Sequence, residues 1–330
     1  MNRVLKLLTV VFLIVSLTAC GNVNDSNNTS EINTATSTAE ISAASEETSA
    51  SGSAVEKTIY PMNIKDSFDR EVIIEKEPQR VVSIAPNITE TIFALENELK
   101  LVGRTDYCDY PSEVSKIESV GTLQEPSIEK IAELKPDLVI ASTHFSKDTL
   151  TKLEELKIPT IVLYGEESFE GVYNTISNVG KVLNSNEQAE SLIADMKKKV
   201  EDVKKSIEGK DKPSVYYVIG YGKSGDYTAG KDTFLGQLIE MAGAENAAAD
   251  VTDWKYSLER LIEKNPDIMI CPLVGEYKQG LESTNGYKDL DAVKNKKLYE
   301  IDDSLITRQG PRLADGLLEL AKIIHPEAFK

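Results

Sequence analysis

The chain has 330 residues, with 37 basic against 54 acidic side chains and a net charge of −17. That balance excludes a nucleic-acid partner and suits a soluble extracytoplasmic surface. Its three cysteines are too few for a disulfide framework, and its two histidines argue against a receptor for bare Zn²⁺ or Mn²⁺, which needs a cluster of His and carboxylates.

Met1 to Lys6 is a basic n-region, Leu7 to Leu17 is an apolar run too short to span a membrane, and small residues follow. This is the pattern of a secretory signal. Leu17–Thr18–Ala19–Cys20 followed by Gly21 resembles the lipobox of bacterial lipoproteins. The resemblance implies a signal over residues 1–20, Cys20 as the lipidated mature N-terminus, and an extracytoplasmic protein anchored to the bacterial membrane. Several acyl chains, each contributing about 0.8 kcal/mol per buried CH₂, give a durable anchor. Residues 21–57 are rich in Ser, Thr, Asn, Ala and Glu, with too little apolar surface to fold, and read as a flexible linker. About 270 residues remain, enough for two lobes.

In chain order, a strand at 80–85 is followed by a turn at Pro86–Asn87 and a helix over 88–98. A strand at 101–103 leads to the loop Asp106–Tyr107–Cys108–Asp109–Tyr110–Pro111. Helix 127–134, strand 138–142, helix 148–156, strand 160–164 and a helix from Phe169 to Leu183 complete a first lobe, 58–184. From Ser185 to Glu208, apolar residues at Ala189, Leu192, Ile193, Met196, Val200, Val203 and Ile207 trace one face of a long helix. Ser185 and Gln188 have capping-box spacing, and Gly209 marks the stop. We read 185–209 as a rigid strut between lobes. Strand 214–220, helices 232–242 and 257–264, strands 268–272 and 298–301, and helix 312–324 form a second lobe, 210–330. Alternating strands and helices give an α/β fold, two Rossmann-like lobes with mainly parallel sheets.

An internal repeat supports the two-lobe division. Pro126 to Ala141 reads PSIEKIAELKPDLVIA, and Tyr256 to Cys271, a constant 130 residues on, reads YSLERLIEKNPDIMIC. Each copy is a Ser-capped helix, a Pro–Asp stop and a buried strand. Two related lobes flanking a helix leave a cleft between them, lined by loops at the carboxyl ends of strands.

RVVSIAPNITETIFAL, LVGRTDYCDYP and the paired SIEKIAELKPDLVIA and SLERLIEKNPDIMIC resemble the ABC-transporter substrate-binding proteins of the helical-backbone class. That class includes vitamin B12, iron–siderophore and haem receptors. The DYCDYP loop and a Trp just before SLE are most similar to its vitamin B12-binding members. The resemblance covers about residues 58–328 and implies a non-enzymatic receptor that delivers a small molecule, cobalamin or another corrinoid, to an ABC permease dimer with its ATPase. It implies limited lobe closure, no cofactor beyond the bound metal chelate, and no protein metal site. A second Trp of the vitamin B12-binding members, expected near Leu123, is absent. An iron–siderophore or haem ligand is the alternative, and an exported hydrolase a remote one, since no Ser–His–acid or Cys–His arrangement suggests itself.

The candidate ligand-binding residues are Tyr107, Tyr110, Trp254, Tyr221, Tyr227 and Arg308. Tyr107 and Tyr110 follow a strand and offer an apolar face with a polar tip, which suits a large, flat ligand. By resemblance, Tyr107 and Trp254 match aromatic residues that face cobalamin. Trp254 is the only Trp and stands in a polar loop. Tyr221 and Tyr227 follow strand 214–220, and Arg308 and Arg312 would suit anionic ligand oxygens. His144 follows strand 138–142 at the cleft end. Gly220 to Gly225 matches G-x-G-x-x-G but no helix opens at the last Gly, so it reads as a hairpin-like turn. Glu129 and Glu259 occupy the same place in the two repeats, and by resemblance they are docking contacts to the transporter.

Overall fold

The computed structural model describes residues 56–222 and 225–330. The signal and lipobox with Cys20, nearly all of the linker, and Lys223 and Ser224 lie outside the described residues.

A hairpin that the sequence patterning does not reveal comes first, β1 (Met62–Lys65) antiparallel to β2 (Glu71–Ile74). The first sheet holds β3 (Val81–Ser83), β4 (Leu101–Arg104), β5 (Glu118–Ser119), β6 (Leu138–Ala141) and β7 (Thr160–Val162). Its order is β5-β4-β3-β6-β7, all parallel. The helices between are α1 (Pro86–Ala94), α2 (Ile128–Glu133), α3 (Lys147–Glu155) and α4 (Phe169–Leu183), and α5 (Asn186–Ser206) leaves this lobe. Next come β8 (Ser214–Tyr217), β9 (Asp226–Tyr227), α6 (Phe234–Met241), β10 (Glu245–Asn246), β11 (Lys255–Tyr256) and α7 (Leu258–Lys264). The chain ends with β12 (Ile268–Pro272), α8 (Tyr277–Ser283), α9 (Asp291–Lys294), β13 (Leu298–Ile301), α10 (Ser304–Thr307) and α11 (Leu313–Ile324). The second sheet, β10-β8-β12-β13, is also parallel, and β9 and β11 form a separate antiparallel ribbon.

Three local expectations are corrected. Pro86–Asn87 is the first turn of α1 rather than a turn before it; proline at N1 lacks only an N–H that no intrahelical carbonyl could accept. This helix stops at Ala94, where Glu96 takes a left-handed φ of 57°, rather than running to Glu98. The capping box at Ser185 does not form. The Ser185 hydroxyl accepts from Asn97 Nδ2 at 2.5 Å and is directed at the Leu183 carbonyl, so it fastens the α4–α5 elbow to the end of α1.

At 21 residues, α5 is about 30 Å long. It buries Ala189, Met196, Val200 and Val203 against α4 and α11, the Met and two Val side chains contributing about 1.5–3 kcal/mol each. An ion pair from Lys199 to Asp315 adds a polar tie to α11. One apolar cluster runs from Val81 and Ile140 of the first sheet, through Met196 and Val200, to Val215 and Leu317 of the second lobe. The core therefore passes from lobe to lobe along this side of the molecule.

Both repeat copies have the expected local structure. Ser127 Oγ accepts from Lys130 N–H and Ser257 Oγ from Arg260 N–H, both at 3.3 Å. After each helix the matching residues Lys135 and Asn265 take positive φ, 48° and 42°. Cys108 and Cys271 are both free and buried.

Candidate functional site

In each sheet the strand order reverses beside its first strand, between β3 and β6 and between β8 and β12. Ligands of open α/β sheets sit outside the carboxyl ends of strands at such a reversal. A cavity of about 680 Å³ lies there, between the lobes, within the range of about 300–1,000 Å³ for small-molecule sites. Ala85 and Pro86 after β3, Ser142 after β6 and Tyr164 after β7 face Tyr217 of β8, Pro272 of β12 and Asp303 after β13. The wall is mostly apolar and aromatic, with Phe234, Tyr277 and Ile306 on the second lobe.

Of the sequence-derived residues, Trp254, Arg308 and His144 line the cavity. Trp254 is 45% exposed, and its loop is held by Thr228 N–H donating to the Trp254 carbonyl at 2.8 Å. A Cβ on Gly230 would stand 2.5 Å from the Asp253 carbonyl oxygen, so glycine lets the Trp254 loop lie against the segment leading into α6. Tyr107, 51% exposed, and Tyr110 are outside the cavity wall, on the β4 loop at its mouth, where the Tyr107 carbonyl accepts from Arg308 Nη2 at 3.4 Å. Tyr221 packs edge-on against Tyr277 and Tyr287, with centroids 5.6 Å apart in each pair, and so supports Tyr277 from behind. Gly280 makes room for it, since a Cβ there would lie 1.8 Å from the Tyr221 hydroxyl. Tyr227 sits in the β9–β11 ribbon, paired with Gly220, as the hairpin-like turn requires.

Sequence reasoning missed Tyr164, Tyr217 and Tyr277. The signal was available for Tyr164, which ends the expected strand 160–164, the rule that selected Tyr107; Tyr217 stood in the middle of the expected strand 214–220, and only the structure ends β8 there.

The electrostatics of the mouth centre on Glu90 of α1, which is only 3% exposed. It accepts from Arg308 Nη1 at 2.9 Å, and from Arg312 Nε and Nη2 at 2.9 and 2.7 Å. Asp109 of the β4 loop takes Arg308 Nη1 at 2.6 Å and Nη2 at 3.1 Å. The Arg308 hydrogen bond holds the Asp109 carboxyl below its ordinary range, despite partial burial. Burial disfavours the charge on Arg308, but its bonds to Asp109 and Glu90 outweigh that and its pKa is raised. The Arg312 guanidinium stacks 3.9 Å from the Tyr110 ring centroid, a cation–π contact. Asn87 Nδ2 donates across the same seam to the Gln309 carbonyl at 3.3 Å. Arg308 is the single Lys or Arg on the cavity wall among the described residues, and both terminal nitrogens of its guanidinium are committed, to Glu90, Asp109 and the Tyr107 carbonyl. Glu167 and Asp303 are on the same wall without an ion-pair partner among the described residues. Burial, then the neighbouring Asp302, raises the Asp303 carboxyl.

Among the described residues no three His, Cys, Asp or Glu side chains gather into a group that could hold a metal ion, and no helix is long and apolar enough to cross a membrane.

Residues 81–305 match the periplasmic binding protein family. The ABC transporter substrate-binding lipoprotein YvrC of Bacillus subtilis is 35% identical over 84% of this chain and 90% of its own length. The cobalamin-binding protein of Halobacterium salinarum is 25% identical, over 81% of this chain and 74% of its own length. Among solved structures, the periplasmic heme-binding protein RhuT of Roseiflexus sp. RS-1 is similar with a TM-score of 0.70 and 26% identity, covering 76% of this chain and 99% of that one. The chain belongs to the periplasmic binding protein family, as a substrate-binding protein of the ABC-transporter class, and its relatives include cobalamin-binding and heme-binding proteins.

Proposed function

We propose that the protein captures a metal chelate carrying no net negative charge, a corrinoid such as cobalamin, and delivers it to an ABC importer. In this reading it is tethered outside the membrane through lipid on Cys20. The observation that carries the ligand choice is the committed Arg308. The cation that would pair with a carboxylate- or catecholate-rich chelate is already neutralised by Glu90 and Asp109, while Glu167 and Asp303 leave the wall acidic. Like charges across an interface are strongly disfavoured, so a polyanion meets repulsion where an amide-bearing corrinoid does not. Tyr107 at the mouth and Trp254 on the wall supply aromatic faces from opposite lobes. Glu129 and Glu259, on the first turns of α2 and α7, are proposed as the contacts to the permease.

The test uses purified residues 57–330 against cyanocobalamin, dicyanocobinamide, haem, ferric citrate and a cationic ferric hydroxamate. The corrinoids are expected to raise Tm and quench Trp254 fluorescence. Tyr107→Ala and Trp254→Ala should each weaken binding by about 1–3 kcal/mol. Tighter binding of ferric citrate or haem than of either corrinoid would overturn the choice and establish the iron-chelate reading. The heme-binding protein to which the fold is similar makes haem the second candidate.

A further inference from the structure

The two carboxylates that hold Arg308 at the cleft mouth hold it in different ways. Glu90 takes it from the buried side: its side chain is 2% exposed, and it also binds Arg312 through Nε and Nη2. Asp109 takes it from the open side. Its side chain is 68% exposed, and its two oxygens accept from Nη1 at 2.6 Å and Nη2 at 3.1 Å. That two-pronged grip is the one a carboxylate-bearing ligand makes on a guanidinium. The Asp109 carboxylate therefore occupies the anion position of Arg308, and its exposure shows that solvent, and so a ligand group, reaches that position. Arg308 itself lines the cavity with Asn87, Thr307 and Gln309, so the position adjoins the ligand site. A pair this exposed adds little stability, and Glu90 with Arg312 already ties the lobes. What Asp109 adds is a carboxylate on the open edge of the Arg308 fork.

We propose that Asp109 sets the charge selectivity of this site: it stands in for a ligand carboxylate on Arg308, and so keeps anionic chelates out of the cleft. The inference rests on the uncharged chelate proposed above and adds the residue that enforces that choice. A carboxylate on the same chain competes at high effective concentration, so an anionic chelate has to displace it, and an undisplaced Asp109 repels the chelate. The hydrogen bond from Arg308 keeps Asp109 ionised, so the guard acts across neutral pH. Glu90, buried and shared with Arg312, is the structural half of the cluster. Asp109 acts through Arg308 and is in this sense a positioning residue.

The experiment measures ferric citrate and cyanocobalamin binding to the 57–330 protein by titration calorimetry. It compares wild type, Asp109→Ala, Asp109→Asn, and Asp109→Ala combined with Arg308→Gln. Asp109→Ala is expected to bind ferric citrate about tenfold more tightly than wild type, the scale of one charged hydrogen bond, and the gain should shrink in high salt. Asp109→Asn should gain less, because its amide oxygen still accepts from the arginine. Adding Arg308→Gln to Asp109→Ala should remove the gain, since the cation is gone while Arg312 still holds Glu90. A merely loosened cleft loses affinity, whereas an uncovered cation gains it for an anion. Ferric citrate bound no better by Asp109→Ala than by wild type overturns the guard and, with cyanocobalamin still bound by wild type, leaves the proposed function standing. A gain that survives Arg308→Gln also overturns it, because lost repulsion alone is then the cause. No cyanocobalamin binding by wild type, together with the ferric citrate gain, overturns the proposed function alone. Tighter binding of ferric citrate than of cyanocobalamin by wild type overturns both. Should Asp109→Ala fail to fold, Asp109→Asn, which keeps the size of the side chain, decides by the same comparison.

Discussion

Glu90 joins the two lobes at the cleft mouth through Arg308 and Arg312. Breaking a buried pair by removing one partner leaves charge without compensation and costs about 3–5 kcal/mol. Here the guanidiniums retain some solvent and Arg308 keeps Asp109, so Glu90→Gln is expected to lower stability by about 3 kcal/mol in urea unfolding. A loss below about 1 kcal/mol would mean that the cluster behaves as an exposed one. Asp109 gives a pH dependence of known sign. Its folded pKa lies below the unfolded value, chiefly through the Arg308 hydrogen bond. Its contribution is therefore present above the unfolded carboxylate value and disappears as pH falls through the folded one. The side chain is largely exposed, so the effect is small, and Asp109→Asn should lower the neutral plateau of Tm slightly while leaving its acid end unchanged, which flattens the acid limb. An acid limb of unchanged slope would assign it to other carboxylates. Arg308 was legible in the sequence as a cleft residue by its place before the last helix. Its partners were not, for they lie 218 and 199 positions away and no local pattern links them.

The repeat shows what was legible at the level of elements. Its Ser caps and buried strands followed from spacing alone, because capping is local and a four-residue apolar run after Pro–Asp can hardly be anything but a core strand. The Pro–Asp itself was legible only as a stop. In the folded chain the aspartate also anchors a strand. Asp137 accepts from the backbone N–H groups of Gln79 and Arg80 at 3.0 and 2.9 Å, just before β3. Asp267 accepts from Ser214 N–H and Oγ, both at 2.8 Å, at the start of β8. Each lobe thus pins the first strand of its parallel sheet with the same residue of the repeat, and the Ser214 bonds hold the Asp267 carboxyl below its ordinary range. Asp137→Ala and Asp267→Ala should each cost about 1–2 kcal/mol in denaturant unfolding. Sharing no partner and lying on different sheets, they should add in the double variant; a strongly non-additive pair would mean that the lobes unfold together through these contacts. Ser185 failed as a cap for the converse reason. Its spacing to Gln188 was right, but Asn97, 88 positions earlier, competes for the hydroxyl. The β1–β2 hairpin and the short helices α8 to α10 carried too few apolar positions to establish a period.

At the scale of the whole molecule, one core runs through α4, α5 and α11 into both lobes, so wide opening about α5 would expose packed apolar surface. A receptor that moved little between empty and loaded states would show its cargo by where the rim sits rather than by a large closure, and the proposed contacts to the importer are sought on that rim. Topology puts Glu129 and Glu259 there. α2 and α7 each run back against the strand that follows, β6 and β12, so their first turns lie level with the carboxyl ends of those strands, beside the cavity. Leu123 and Trp254, which line the cavity, come just before these two helices. Both carboxylates are exposed. Glu129 accepts from Ser127 Oγ at 3.1 Å, and its pKa is lowered chiefly by the hydrogen bond from its own backbone N–H, so it stays ionised well below neutral pH. A first-turn acid also interacts favourably with its helix dipole, which is the competing explanation. Helix stabilisation alone does not require the same acid at the same place in both lobes, 130 residues apart, whereas a symmetric permease dimer offers two equivalent basic patches to such a pair. Charge pairs of this kind set encounter rate and register more than affinity for the cargo. The variant with both Glu129→Ala and Glu259→Ala is therefore expected to bind ligand as wild type does and to lose transport and ligand-stimulated ATPase activity when reconstituted with the importer. Each single variant should keep part of the activity, and high salt should weaken the wild-type response by screening. Normal uptake by the double variant at equal surface amount would leave the two glutamates with the helix dipole as their whole role.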